Sequence, residues 1–205
     1  MAALFRHLWL ALVLALAAPA ALAQDRATLV SDRLEIAGDS RLIAQGNVEV
    51  FFRGTRLRAS RITYDQAADR LVIDGPIVLT DAGGGTIILA SQADLSADLS
   101  EGLLTSARMV LDQQLQLAAS QMMRTAGRYT TLDNVVASSC RVCAANPTPL
   151  WEIRARRVVH DQQERQIYFD HAQFRLSGVP VFYIPRLRMP DPTLDRATGF
   201  LQPKL

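Results

Sequence analysis

After residue 24 the chain has a repeat that sets the fold class more firmly than any single motif. Arg58-Ala-Ser-Arg-Ile62 aligns with Leu89-Ala-Ser-Gln-Ala93, Ala118-Ala-Ser-Gln-Met122 and Arg154-Ala-Arg-Arg-Val158. The anchoring alanines, Ala59, Ala90, Ala119 and Ala155, stand 31, 29 and 36 residues apart. A second alternating stretch begins near Leu71, Leu103, Tyr129 and Ile167, and a fainter copy of the unit starts near Val30-Ser31 with its second strand over Leu42 to Phe52. A repeat of this length is a supersecondary unit that cannot bury its apolar face alone and must stack on its neighbours.

Within each unit apolar and polar residues alternate with a period of two, the pattern of a half-buried strand. Val48, Val50 and Phe52 fall on one parity against Asn47 and Glu49. Leu71, Ile73, Ile77 and Leu79 oppose Asp74 and Pro76, with Gly75 between. Leu115, Leu117 and Ala119 oppose Gln114 and Gln116, while Trp151, Ile153 and Ala155 oppose Glu152, Arg154 and Arg156. Turn signals separate the strands at Asp65–Asp69, Ser96–Ser100 and Asp161–Glu164. About five such units predict roughly ten antiparallel strands, an all-β sandwich, jelly roll or open solenoid. Between Ala59 and Ile62 the parity shifts, which predicts a bulge.

The inward set is expected to include Val48, Val50, Leu57, Ala59, Leu71, Ile73, Ile77, Leu79, Leu115, Leu117, Trp151 and Ile153. Such a face is either plain core or the lining of a trough for a hydrocarbon guest. Small side chains expected to face inward, namely Ala59, Ala90, Thr105, Ala107, Ala119 and Ala155, favour a roomy interior.

At the N-terminus Arg6 and His7 precede an apolar run from Leu8 to Ala18 and small residues at Ala21-Leu22-Ala23, the layout of a cleaved signal peptide over residues 1–23. A membrane anchor is the rival reading, but a spanning helix needs about 20 apolar residues. Among 22 basic and 20 acidic residues only Arg6 would be lost with that segment, so the charges nearly balance and give no ground for a nucleic-acid partner.

Cys140 and Cys143 form a Cys-x-x-Cys motif that fits a local disulfide, half a metal site or a redox pair. The redox reading implies a periplasmic thiol oxidoreductase and wants a helix N-terminus, whereas Asn146-Pro-Thr-Pro149 predicts a loop. His160 and His171 have no companion at metal-ligand spacing and read as structural. Arg154, Arg156 and Arg157 form a solvated strand face or reach phosphate groups, and solvation is the commoner setting for arginine. Asp81-Ala-Gly-Gly-Gly85 is a loop signal without the Lys-Ser/Thr of a nucleotide loop. No catalytic constellation, metal site or cofactor is expected.

Ser177–Pro192 carries prolines at 180, 185, 190 and 192 together with Phe182 and Tyr183, and these prolines are expected to end the last strand. Gly178-Val-Pro-Val-Phe-Tyr-Ile-Pro185, Pro190-Asp-Pro192 and Gly199-Phe-Leu-Gln-Pro203 resemble the junction between periplasmic domain and barrel in the LPS-assembly outer-membrane proteins, the LptD or OstA family. Cys140-Arg-Val-Cys143, Pro147-Thr-Pro149 and Trp151-Glu-Ile-Arg-Ala155 extend the likeness, and Gly46-Asn-Val-Glu-Val50 with Arg58–Asp65 is similar to the family's repeat.

The resemblance implies an OstA-type β-jelly roll over 25–177, then a Pro-rich junction over 178–205 leading into an outer-membrane barrel cut off at its start. Lipopolysaccharide would enter from a periplasmic bridge protein of the same repeat fold, hold its acyl chains in the apolar interior, and pass to a barrel plugged by a lipoprotein. At least one of Cys140 and Cys143 would bridge to that barrel. The rival within transport is a soluble periplasmic bridge protein built from the same repeat.

Overall fold

The structure, a computed structural model, describes residues 27–139 and 149–193. The leader and the Cys140/Cys143 motif lie outside the described residues.

Twelve strands occur among the described residues: β1 (Thr28–Val30), β2 (Arg33–Ala37), β3 (Arg41–Phe52), β4 (Thr55–Asp65), β5 (Arg70–Thr80), β6 (Thr86–Ser96), β7 (Gly102–Leu111), β8 (Leu115–Thr125), β9 (Tyr129–Ser138), β10 (Trp151–Asp161), β11 (Gln166–Leu176) and β12 (Val179–Pro190). They make one antiparallel sheet in the order β1-β3-β4-β5-β6-β7-β8-β9-β10-β11-β12, with β2 beside β1 on the free edge of β3. The all-β fold in hairpin repeats is as expected, with twelve strands in place of about ten.

Each anchoring alanine lies on an even-numbered strand, in β4, β6, β8 and β10. The ladder is interrupted at these points, so a seam crosses every strand from β3 to β12. It passes through Gly46-Asn47, Ser60, Gly75-Pro76, Ser91, Ser106, Ser120, Asn134, Arg156, His171 and Pro185. On β3, β7, β9 and β11 a seam residue has a left-handed backbone, with φ of 46° at Asn47, 49° at Ser106, 54° at Asn134 and 54° at His171; at the seam the register itself shifts only between β3, β4, β5 and β6. Small hydroxyls replace some of the lost ladder bonds: Ser91 Oγ donates to Thr105 O at 3.1 Å and Ser120 Oγ to Asp133 O at 3.2 Å. The sequence repeat is therefore the seam itself.

The kink at the seam reverses parity on most strands, so on β4 the buried residues run Leu57, Ala59, then Ile62, and on β8 Leu117, Ala119, then Met122, whereas β3 and β5, which carry an extra residue in the register, keep it. The strands thus consist of two arms hinged at the seam. Arm one ends at the turns around 53–54, 81–85 and 112–113, and arm two at those around 66–69, 97–100, 126–128 and 162–165. The arms face each other, because Asp81 of arm one touches Arg124 and Gln162 of arm two.

Two expectations are corrected here. Thr105 faces outward, where it meets Ser91, because the seam at Ser106 switches parity just after it. Val179–Pro190, expected to leave the sheet, forms its edge strand β12, paired with β11 from Leu176↔Val179 to Gln166↔Pro190. An edge strand tolerates residues without an N–H, and Pro185 falls on the seam opposite His171, where the ladder is already broken.

Candidate functional site: the apolar interior between the arms

The register aligns the inward side chains into rows that cross the whole sheet. On arm one, cross-strand partners run Leu29, Val50, Leu57, Leu79, Ile88, Met109, Leu117, Ala137, Ile153, Phe174 and Phe182. On arm two they run Leu34, Ala44, Ile62, Ile73, Ala93, Leu104, Met122, Leu132, Val158, Phe169 and Leu187. Neither row contains a polar residue. Leu57, Leu79, Ile88 and Met109 on one arm, and Ile73, Leu104, Met122 and Leu132 on the other, are fully buried between the arms.

All twelve residues expected to face inward do so. Eleven are buried, and Trp151 is partly buried against the core. Trp151 stacks on Phe174 at 6.2 Å between ring centroids and Phe174 on Phe182 at 4.8 Å, which carries the aromatic surface to the edge of the sheet. Ten of the twelve belong to arm one, and only Leu71 and Ile73 to arm two. Arm two was missed because on most strands the seam moves its inward residues to the opposite parity. Extending the Ala59–Ile62 shift to the other repeats would have found Ala93, Met122 and Val158.

The alanines have a different use from the one expected. Ala59, Ala90, Ala107, Ala119 and Ala155 line the seam on the inner side, where the arms converge. A small side chain there lets the sheet bend sharply, so it narrows the hinge and does not widen the interior.

Arm two carries a third inward row nearer its tip: Leu71, Leu95, Gly102, Arg124, Thr130, His160, Ile167 and Met189. Its three polar members sit side by side on β8, β9 and β10, with only 7%, 1% and 2% of their surface exposed. Arg124 meets Asp81 of the opposing arm at 3.3 Å through both terminal nitrogens, and Gln162 Nε2 donates to the same carboxylate at 3.3 Å. His160 Nε2 lies 2.5 Å from Asp191 Oδ2. Burial pushes the Asp191 carboxyl up, but His160 and the Thr193 N–H outweigh it and hold the net value below the ordinary carboxylate range.

His171 lies on the outer side of the seam, hydrogen-bonded to the Tyr183 hydroxyl. Arg154, Arg156 and Arg157 are exposed on the outer face. Arg154 pairs with Glu152 at 2.8 Å and Arg157 with Asp133 at 2.9 Å, as befits a solvated face. Among the described residues no group of three or more His, Cys, Asp and Glu is placed to hold a metal ion. No helix among the described residues is long and apolar enough to cross a membrane, which says nothing of strands.

No family model matches the chain. It is similar to a protein named LPS-assembly protein LptD from Nitrosococcus oceani, 29% identical over 174 residues, covering 84% of this chain and 23% of that protein. A protein of the same name from Neisseria meningitidis is 28% identical over 192 residues, covering 91% and 23%. The Acidovorax protein of that name is 29% identical over 176 residues, covering 85% and 21%. Among solved structures, LptH of Pseudomonas aeruginosa, described as the LptA-homologous periplasmic component of a lipopolysaccharide transport device, aligns with a TM-score of 0.28 at 12% identity, covering 82% of this chain and 96% of LptH. The chain thus spans less than a quarter of the length of these curated relatives, and its similarity to LPS-assembly proteins LptD runs along most of its own length.

Proposed function

We propose that this chain is the lipid-receiving jelly roll of an LPS-assembly protein, and that lipopolysaccharide acyl chains pass between its arms along the two apolar rows. The observation that carries the reading is the absence of any polar side chain from either row across the sheet. Each methylene moved from water into such a lining contributes about 0.8 kcal/mol. Transport along it needs no catalytic group. The names of the relatives support the substrate class. On this reading the protein works at the periplasmic side of the outer membrane, taking lipid from a bridge protein of the same repeat fold and passing it to a barrel with a lipoprotein plug. Cys140 or Cys143 would tether the jelly roll to that barrel.

The rows are packed against each other, so a guest must part the arms to enter. A photoreactive amino acid at Ile73 or Leu117, one on each arm, should crosslink to lipopolysaccharide in cells, and one at the outward Asp74 or Gln116 should not. Crosslinks from Asp74 and Gln116 alone would place the lipid on the outer face and overturn the reading.

A further inference from the structure

Arg124, Thr130 and His160 are polar side chains on the inner face of a sheet whose inner face is otherwise almost wholly apolar. They adjoin the arm-two row directly, since Met122, Leu132 and Val158 precede or follow them by two residues on the same strands. A buried guanidinium with an ordinary partner makes charge-assisted bonds of about 2.7–2.9 Å and uses its N–H groups in a fork. Arg124 does neither. Both terminal nitrogens share one oxygen of Asp81 at 3.3 Å, and the buried Nε has no partner. The buried His160 Nδ1 has none either. Leaving a buried guanidinium N–H unmet is costly, so Arg124 has more capacity to bind an anion than Asp81 uses.

Asp81 also comes from the opposing arm, in the 81–85 turn, so its bond to Arg124 exists only while the arms are closed. A recess of about 410 Å³ lies between the tips, with Asp81, Asp112, His160, Gln162, Arg165 and Asp191 in its wall, so the cluster reaches space open to solvent through His160.

We propose that Arg124, Thr130 and His160 form a subsite for the phosphate-class head group of an acylated guest whose tails lie on the arm-two row, and that Asp81 is the internal anion this group displaces as the arms part. The inference rests on the acyl-binding reading above and adds to it a head-group site and a link between loading and opening. An incoming phosphate gives Arg124 two oxygens in place of one and offers His160 a partner. The freed Asp81 turns to solvent with its arm.

The test is calorimetric titration of the protein and its variants with hexadecyl phosphate, with hexadecanol and with inorganic phosphate. The expected result is tighter binding of hexadecyl phosphate than of hexadecanol, a preference raised several-fold by Asp81→Asn and lowered about tenfold or more by Arg124→Gln. Arg124→Lys should keep part of it. Asp81→Asn is a change to a turn residue and predicts a gain, so misfolding cannot imitate it. Equal binding of both amphiphiles by all variants would overturn the head-group site and leave the acyl-binding interior standing. If neither amphiphile bound but inorganic phosphate bound Asp81→Asn more tightly than the parent, the anion site would stand and the acyl-binding reading would fall. Inorganic phosphate as tight as hexadecyl phosphate would overturn the head-group assignment in favour of a site for free phosphate. No binding of any probe would overturn both.

Discussion

At the turn after β10 a single carboxylate does several jobs. Asp161 accepts from Arg128 at 2.7 Å and, through its other oxygen, from the backbone N–H groups of Gln163 and Glu164 at 3.0 and 3.1 Å. The Arg128 guanidinium first, and then those N–H groups, hold its carboxyl down at about 2. Its folded value lies below the unfolded one, so its contribution is complete above about pH 4 and is lost as the pH falls through about 2. Asp65, held down by the Ala68 N–H and then Arg41, and Asp98, held down by the Ser96 hydroxyl, act in the same direction. Thermal melts from pH 5 to 2 should therefore fall more steeply for the parent than for Asp161→Asn. At neutral pH Asp161→Ala should cost roughly 1–3 kcal/mol, because turn donors lose their acceptor. These turn carboxylates were legible in the sequence, since Asp at the first position of a turn bonds forward within a few residues. Arg124 was not: nothing local distinguishes it from the exposed Arg154 or Arg157, and its inward direction follows only from the parity change at the Ser120 seam.

At the scale of the element, the seam is built differently on alternate strands. Strands β4, β6, β8 and β10 supply Ala-Ser or Ala-Arg and β12 supplies Pro185, four of the odd strands a residue in the left-handed region, while β5 has Gly75-Pro76. A methyl group on Gly75 would stand 2.4 Å from the Ser91 carbonyl oxygen and 3.0 Å from that of Ala90, both backbone atoms. Gly75→Ala should thus destabilise the sheet by about 1–3 kcal/mol or more in denaturant titrations. Asn134→Gly should be nearly neutral, whereas Asn134→Val, a β-branched residue at φ 54°, should cost measurably more. The strands and their hairpin order were legible because period-two alternation and turn residues are local signals. What the seam does to parity was visible once, at Ala59–Ile62, and was not carried to the other repeats; hence ten of the twelve residues read as inward lie on arm one, where Ile88, Met109 and Ala137 were still missed, and only two on arm two.

For the molecule as a whole, each strand is hydrogen-bonded along its length only to its ladder neighbours, so the backbone ladder is built up along one dimension. Hydrogen exchange should be slowest in β5–β9 and fastest in β1, β2 and β12, where Ile36, Val179 and Tyr183 are exposed. Uniform protection from β1 to β12 would contradict that gradient. The prolines of β12 show how a sequence signal can be right in chemistry and wrong in place: they avoid the interior of a ladder, and an edge strand satisfies that as well as an exit from the sheet does. The two inward rows have a further consequence. They run across the strands, so they sample the sheet at its strand spacing of about 4.8 Å, and the eleven strands of the path make a track of about 48 Å. Many steps exchange like for like, as Leu57 for Leu79 or Leu104 for Met122, a difference of at most about one methylene's worth of transfer energy, about 0.8 kcal/mol, while Ala44, Ala93 and Ala137 make the larger steps. Away from those alanines such a surface has little corrugation, so a hydrocarbon on it would slide without a chemical step to hold it, and the direction of its travel would be set by supply and removal at the two ends.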